Sequence, residues 1–204
     1  MRGLNAQTLL AAYAAGVFPM AESKHDLYLH WIDPERRGVL PLERFHVSRS
    51  LAKLLKRQVF EIRIDSDFQA VIDGCADSRP GREDSWINPI IRSLFLDLHA
   101  MNLAHSVEVW QNERLVGGLY GLALGGAFFG ESMFSKVTNA SKAALAHLVA
   151  RLKAGGFLLL DVQFVTAHLA SLGAIDISRA DYHLQLARAL AVQGDFFKLD
   201  EKMT

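Results

Sequence analysis

Ser106-Val107-Glu108-Val109-Trp110, Leu115-Val116-Gly117-Gly118-Leu119-Tyr120-Gly121-Leu122-Ala123-Leu124 and Ala127-Phe128-Phe129-Gly130-Glu131 follow one another with only Gln111 to Arg114 and Gly125-Gly126 between them. The first stretch alternates polar and apolar residues, the second is a glycine-rich strand, and the third is a short apolar one, each bounded by a turn. Asn139 or Ser141 then opens a helix that runs to Gly155-Gly156, and Phe157 to Gln163 forms an apolar strand ending in polar residues. A last helix begins at Asp181. The order strand, strand, strand, helix, strand predicts one mixed α/β domain for this half of the chain.

Upstream the pattern is helical and broken. Asn5 caps a first helix with Leu9, Leu10 and Tyr13 on one face, stopped by Gly16 with Pro19 behind it. Phe18 to Pro41 carries Pro19, Pro34, Gly38 and Pro41 among scattered aromatics and reads as loop-rich, which puts a small N-terminal domain at residues 1–34 and the main domain at 35–204. Ser48 precedes a second helix with Leu51, Leu54 and Leu55 inward and Arg49, Lys53, Lys56 and Arg57 on the rest of its surface. A third helix follows Asp65 or Ser66, a fourth starts at Asn88-Pro89, and a polar loop from Asp77 to Asp84 joins them.

Composition narrows the class. With 204 residues, half of them hydrophobic, the chain buries a core without staples. Its uncharged run between Arg114 and Glu131 is rich in glycine and shorter than the ~20 apolar residues a bilayer-spanning helix needs. The start Met1-Arg2-Gly3-Leu4-Asn5 lacks a secretory pattern and Cys75 is the single cysteine, so a cytoplasmic protein is expected, with no membrane partner. Acidic and basic residues balance at 22 each, which argues against holding nucleic acid by bulk charge and leaves room for a local basic face.

The end of the last apolar strand is the first candidate for chemistry. Asp161 and Gln163 are two apart and so share a face of a regular strand. A buried carboxylate is costly unless used or paired. Asp161 therefore either serves a site with Gln163 or satisfies backbone donors of the next turn. Glu131 ends the neighbouring apolar strand and either faces the same cleft or marks a helix entry. The eight histidines show no metal-ligand spacing, Ser132 lacks the glycine pattern of a nucleophile elbow and Cys75 lies on an inward helix face, so neither a metal nor covalent catalysis is assigned.

Several longer strings carry a family likeness: Ala12-Tyr13 with Gly16-Val17-Phe18-Pro19, Phe45-His46-Val47-Ser48-Arg49-Ser50, Ser85-Trp86-Ile87, His105 to Trp110, Leu115 to Gly121, Phe129 to Ser135, Asn139-Ala140-Ser141-Lys142, Asp161-Val162-Gln163 and His168 to Ala174. Over nearly its full length the chain resembles the bacterial leucyl/phenylalanyl-tRNA–protein transferases. The resemblance implies an acetyltransferase-like (GNAT) mixed-sheet domain behind a small N-terminal domain. It also implies transfer of Leu or Phe, and Met less well, from aminoacyl-tRNA to proteins beginning with Lys or Arg, which marks them for N-end-rule degradation. It needs no cofactor, and a monomer is expected. Catalysis is implied for Asp161, Gln163 and Glu131, an apolar donor pocket for Leu119 and Phe128, contact with the terminal adenosine for Trp86, and the acceptor stem for Arg49, Lys53, Lys56 and Arg57. Tyr13 and Tyr120, inside matched strings, complete the implied substrate-binding set. Two features depart from better-known members: an N-terminal extension is missing, and Met20 stands where some have tryptophan.

Two other classes fit parts of this pattern. An acetyl-CoA-dependent N-acetyltransferase would share the fold, but needs a glycine-rich helix entry to cradle pyrophosphate, and the junction Ser132 to Asn139 holds no glycine. A non-catalytic tRNA-binding module would keep the basic helix and have no use for Asp161 and Gln163.

Overall fold

The computed structural model describes residues 4–77 and 85–201, so most of the expected polar loop lies outside the described residues. In chain order the elements are α1 (Ala6–Ala14), β1 (Phe18–Met20), β2 (His30–Ile32), β3 (Arg36–Val39), α2 (Arg49–Lys56), β4 (Glu61–Ile64), α3 (Phe68–Ala76), α4 (Pro89–Ala100) and β5 (Ala104–Gln111). There follow β6 (Arg114–Leu124), β7 (Ala127–Ser135), α5 (Ala140–Ala154), β8 (Leu159–Gln163), α6 (Ala167–Ala170), β9 (Ile175–Ser178), α7 (Arg179–Leu190) and α8 (Lys198–Glu201). Seven strands form one sheet in the order β4-β5-β6-β7-β8-β3-β9, while β1 and β2 pair as a separate hairpin. The chain is thus a mixed α/β protein.

All neighbours in the large sheet are antiparallel except β7 and β8, whose parallel pairing requires the crossover that α5 supplies. On one face Leu9 and Tyr13 of α1, Phe68 and Val71 of α3, Phe95 and Leu98 of α4 and Tyr182 of α7 pack with Tyr120 and Phe129. On the other, α5 contributes Ala144, Leu145, Leu148 and Leu152 against Leu119, Phe128 and Leu160. Phe196 closes that side, with its ring stacked on Phe128 at 5.6 Å and on His105 at 4.2 Å. Arg151, 1% exposed, holds the Phe196 carbonyl at 2.7 Å and Asp200 at 2.6 Å.

The helix starts follow from local chemistry. The side chains of Asn5, Ser48 and Asn88 accept the backbone N–H groups of Thr8, Leu51 and Ile91, as the sequence predicts. Two starts differ from expectation. The third helix is capped by Asp67, because Asp65 and Ser66 are drawn away: Asp65 accepts the Ser106 N–H at 2.7 Å and bonds His105 Nδ1 at 2.8 Å, and Ser66 donates to Glu108. The buried Glu108 also accepts from the Asp67 N–H and from Trp110 Nε1, so the His105 to Trp110 string clamps α3 to β5. The last long helix is capped by Ser178 and starts at Arg179, two residues before Asp181.

The segment read as loop-rich holds β1, β2 and β3. These strands, like β4 and β9, have three or four residues each, too few for a period-two pattern to emerge, and β3 is held by antiparallel partners on both edges.

Candidate active site

The pairing of β7 with β8 spans Ala127↔Leu159 to Phe129↔Asp161, yet β7 continues to Ser135. Beyond Phe129 the two strands part, and the residues after that point wall the opening. Two irregularities aim them. In the β6–β7 ladder Tyr120 faces Ser132 and Gly121 faces Gly130, which leaves Glu131 as the extra residue of a β-bulge. Bulges of this kind re-aim a side chain. On β8, Gln163 has φ 57°, and the Phe164 N–H donates to the Val162 carbonyl at 2.7 Å. That is a three-residue turn with a left-handed centre, a conformation that costs a non-glycine residue about 1–3 kcal/mol and persists only where its surroundings impose it.

Two cavities meet at these residues. The first, about 80 Å³, is lined chiefly by Leu119, Met133, Leu145, Leu148, Leu160, Val162 and Leu169, with Tyr120, Glu131, Ser132 and Gln163 as its polar contribution. The second, about 220 Å³, lies between Phe18, Met20 and Trp86 on one side and Phe164, Thr166 and Leu169 on the other, again reaching Glu131 and Gln163. Glu131 Oε1 and Gln163 Nε2 are buried at the seam with no hydrogen-bond partner among the described residues. Burial pushes the pKa of Glu131 up to about 8. The nearby Tyr13 hydroxyl opposes that rise although it makes no hydrogen bond of full geometry, the Asp161 charge adds to it, and Arg37 opposes it. Glu131 therefore carries a proton at neutral pH.

Asp161 is arranged differently. It is fully buried and lines neither cavity. Its Oδ1 accepts the Gln163 N–H at 2.8 Å and Arg37 Nε at 3.0 Å, and its Oδ2 accepts Arg37 Nη2 at 2.6 Å and Tyr182 Oη at 2.7 Å. Burial works against the Arg37 charge, but the hydrogen bonds and charge of Asp161 outweigh it and raise the guanidinium pKa. The shared face expected for Asp161 and Gln163 is thus not present: the left-handed turn at 163 breaks the two-residue period and carries Gln163 round to line the cavities with Leu160 and Val162. Of the two readings of Asp161, the backbone one describes its Gln163 contact, although the strand end is buried and does not reach solvent.

Metal-ligand geometry occurs among the described residues at Glu22, Asp26 and His30, whose ligand atoms lie within 4.8 Å of one another on the open surface of the β1–β2 connection. At the β7–α5 junction the Ala140 N–H donates to the Val137 carbonyl and the Ser141 N–H to Ser135 Oγ, so these amides are engaged within the chain.

Against this geometry, the sequence profile described as leucyl/phenylalanyl-tRNA protein transferase matches residues 39–187, and that of its N-terminal domain residues 2–35. The chain belongs to the leucyl/phenylalanyl-tRNA protein transferase family. A leucyl/phenylalanyl-tRNA–protein transferase of Phenylobacterium zucineum is 59% identical over 199 residues, covering 98% of this chain and 90% of that one. One from Maricaulis maris is 54% identical over 204 residues, covering 100% and 94%. A solved GNAT-family acetyltransferase from Desulfovibrio desulfuricans aligns with 50% of this chain and 70% of its own at 15% identity and a TM-score of 0.36, too low to carry an argument. As a member of this family the chain is an enzyme, an aminoacyltransferase.

Within the transferase, Glu131, Gln163, Leu119, Tyr120 and Trp86 come together around the two cavities. Tyr13 is fully buried behind Glu131, edge-on to Phe129 and Phe95. Phe128 lines neither cavity; its ring is fully buried between Phe157 and Phe196. Arg49, Lys53, Lys56 and Arg57 are exposed on and just after α2, which neither cavity reaches. Sequence reasoning missed Arg37 and Tyr182. Arg37 sits in a segment read as loop and Tyr182 in a helix read only for its start, and nothing local marks either as a partner of Asp161. No helix among the described residues is long and apolar enough to cross a membrane.

Proposed function

We propose that this chain transfers leucine or phenylalanine, and methionine less well, from aminoacyl-tRNA to the N-terminal α-amino group of proteins beginning with Lys or Arg, marking them for N-end-rule degradation. The observation that supports this most is the seam itself, where an apolar cavity and an aromatic-walled one meet at two buried polar groups with no partner among the described residues, Glu131 Oε1 and Gln163 Nε2. In this reading the apolar cavity takes the transferred side chain, and the cavity flanked by Trp86 and Phe18 takes the terminal adenosine, which leaves the ester between them.

The chemistry needs little beyond placement. The ester is already activated, and holding amine and carbonyl in an attack geometry removes roughly 7 to 11 kcal/mol of barrier. The amine nitrogen forms a bond to the carbonyl carbon, the bond from that carbon to the ribose oxygen breaks, and nitrogen loses one proton while the ribose oxygen gains one. Gln163 Nε2 is free to donate to the carbonyl oxygen as it becomes negative. Glu131, protonated and with a pKa of about 8 close to that of an α-amino group, gives its proton to the ribose oxygen as that bond breaks and takes in its place the proton that the attacking nitrogen loses. Asp161 supports Gln163 from behind.

The acceptor preference needs a different origin from the one expected. Asp161 is neutralised by Arg37 and Glu131 is protonated, so neither supplies free negative charge to the seam. Glu22 and Asp26, on the connection that follows Met20, are the carboxylates we assign to the cationic side chain. Coenzyme A is disfavoured, because the junction holds no glycine and the Ala140 and Ser141 amides, two of those that would cradle its pyrophosphate, are already bonded.

The test is incubation with leucyl-tRNA and a peptide beginning with Arg. Gln163→Ala should lower turnover by about a hundredfold or more, as loss of one oxyanion donor does, with charged-tRNA binding retained. Transfer at the wild-type rate would remove Gln163 from the reaction.

A further inference from the structure

We infer that Arg37 and Tyr182 are positioning residues of the transfer reaction, acting through Asp161 on the backbone of Gln163. The inference rests on the reading above that the Gln163 side chain meets the substrate. Gln163 reaches the seam only because its backbone is left-handed, and a strand running on regularly would turn that side chain to the Asp161 side. Something must impose the turn. The Gln163 N–H is fixed by Asp161 Oδ1 at 2.8 Å, and that carboxylate has no freedom of its own. Arg37 grips it through Nε and Nη2, and Tyr182 Oη fixes Oδ2 at 2.7 Å.

Arg37 is itself immobilised. Its guanidinium carbon lies 4.3 Å from the Phe18 ring centre and 4.5 Å from that of Tyr182, and Nη1 donates to the Gly16 carbonyl at 3.1 Å. Because Phe18 walls the second cavity, one arginine sets both that wall and, through Asp161, the turn that presents Gln163. Neither Arg37 nor Tyr182 lines either of the two cavities, so both act at one remove from substrate. A pair retained only for stability would be replaceable by apolar side chains of similar size, as buried ion pairs often are.

Three variants decide this. Tyr182→Phe keeps the ring over Arg37 and deletes one hydrogen bond to Asp161; the expected result is a five- to tenfold fall in kcat, with KM for leucyl-tRNA within twofold and a melting temperature within a few degrees of wild type. Combined Arg37→Met and Asp161→Leu should fold, lose activity to the level of Gln163→Ala, and lose nothing further when Gln163→Ala is added, since residues acting as one unit are not additive. Amide exchange at Gln163 should accelerate in both. Wild-type kcat in the double variant, or an independent further loss on adding Gln163→Ala, would overturn the inference. If the double variant does not fold, Tyr182→Phe with kcat unchanged, or with the whole effect in KM, overturns it. Gln163→Ala turning over at the wild-type rate would instead remove the reading on which the inference rests.

Discussion

Glu131→Gln should make the protein less sensitive to rising pH. The glutamine copies the neutral form of a side chain that is 8% exposed and whose pKa burial raises from 4.5 to about 8. In the unfolded chain Glu131 loses its proton near the ordinary value; in the fold it keeps it. The folded state therefore binds more protons between those two values, and stability must fall as pH rises through them. Each tenfold change is 1.36 kcal/mol, so the full interval from 4.5 to 8 corresponds to an upper limit of about 5 kcal/mol, and a few kcal/mol is the expected size. At roughly 2–4 °C per kcal/mol for a chain of this length, the effect is on the order of 5–15 °C. Thermal unfolding of both proteins from pH 4.5 to 9 isolates it, because other titrating groups cancel in the difference. The variant should match wild type at the acid end, gain steadily up to about pH 8, and gain nothing more above it. Parallel curves would refute the argument and mean that Glu131 is ionised, and solvated or paired, in the fold.

Neutralising Arg49, Lys53 and Lys56 together should weaken tRNA binding and lower the slope of log affinity against log salt by a little under one per lost phosphate contact, measured by filter binding. An unchanged slope would make α2 a solvated face. Phe128→Ala should cost about 3–5 kcal/mol in denaturant unfolding while leaving donor preference alone, since its ring packs under Phe196 and outside the cavity, whereas Leu119→Ala should change the ranking of charged tRNAs in competition. A shifted ranking in Phe128→Ala would show that the ring is felt in the cavity. Changing Glu22 and Asp26 to their amides should narrow the preference for Arg over Ala at residue one of the acceptor, and high salt should narrow it in wild type as well. An Asp-initiated peptide leucylated in preference to the Arg-initiated one would overturn the acceptor assignment.

What was legible in the sequence is what repeats locally. Strands β5 to β8 alternate or run largely apolar over their length, and Asn5, Ser48 and Asn88 bond to amides three residues ahead. Glu131, Leu119 and Trp86 could be named because they stand in distinctive strings. Their joint placement at the cavities came from irregularities that no period reveals, the bulge at 131 and the left-handed turn at 163. Arg37 and Asp161 stand far apart in the chain, and the register of β3 against β8, which brings them together, is fixed by long-range packing. Phe128 was misplaced for a related reason: the C-terminal Phe196 that covers it lies in a stretch with no pattern of its own.

The bulge at Glu131 also separates what the sheet needs from what the proposed chemistry needs. Gly130 and Ser132 already pair with consecutive residues of β6, so a chain lacking Glu131 altogether could join them into an uninterrupted ladder with every later register kept. For the scaffold, position 131 is surplus length. A single-codon deletion there would take away the carboxylate and its whole backbone unit while keeping the β6–β7 register on both sides. It also means that strand length, and not side-chain identity alone, encodes where this chain places its buried carboxyl group.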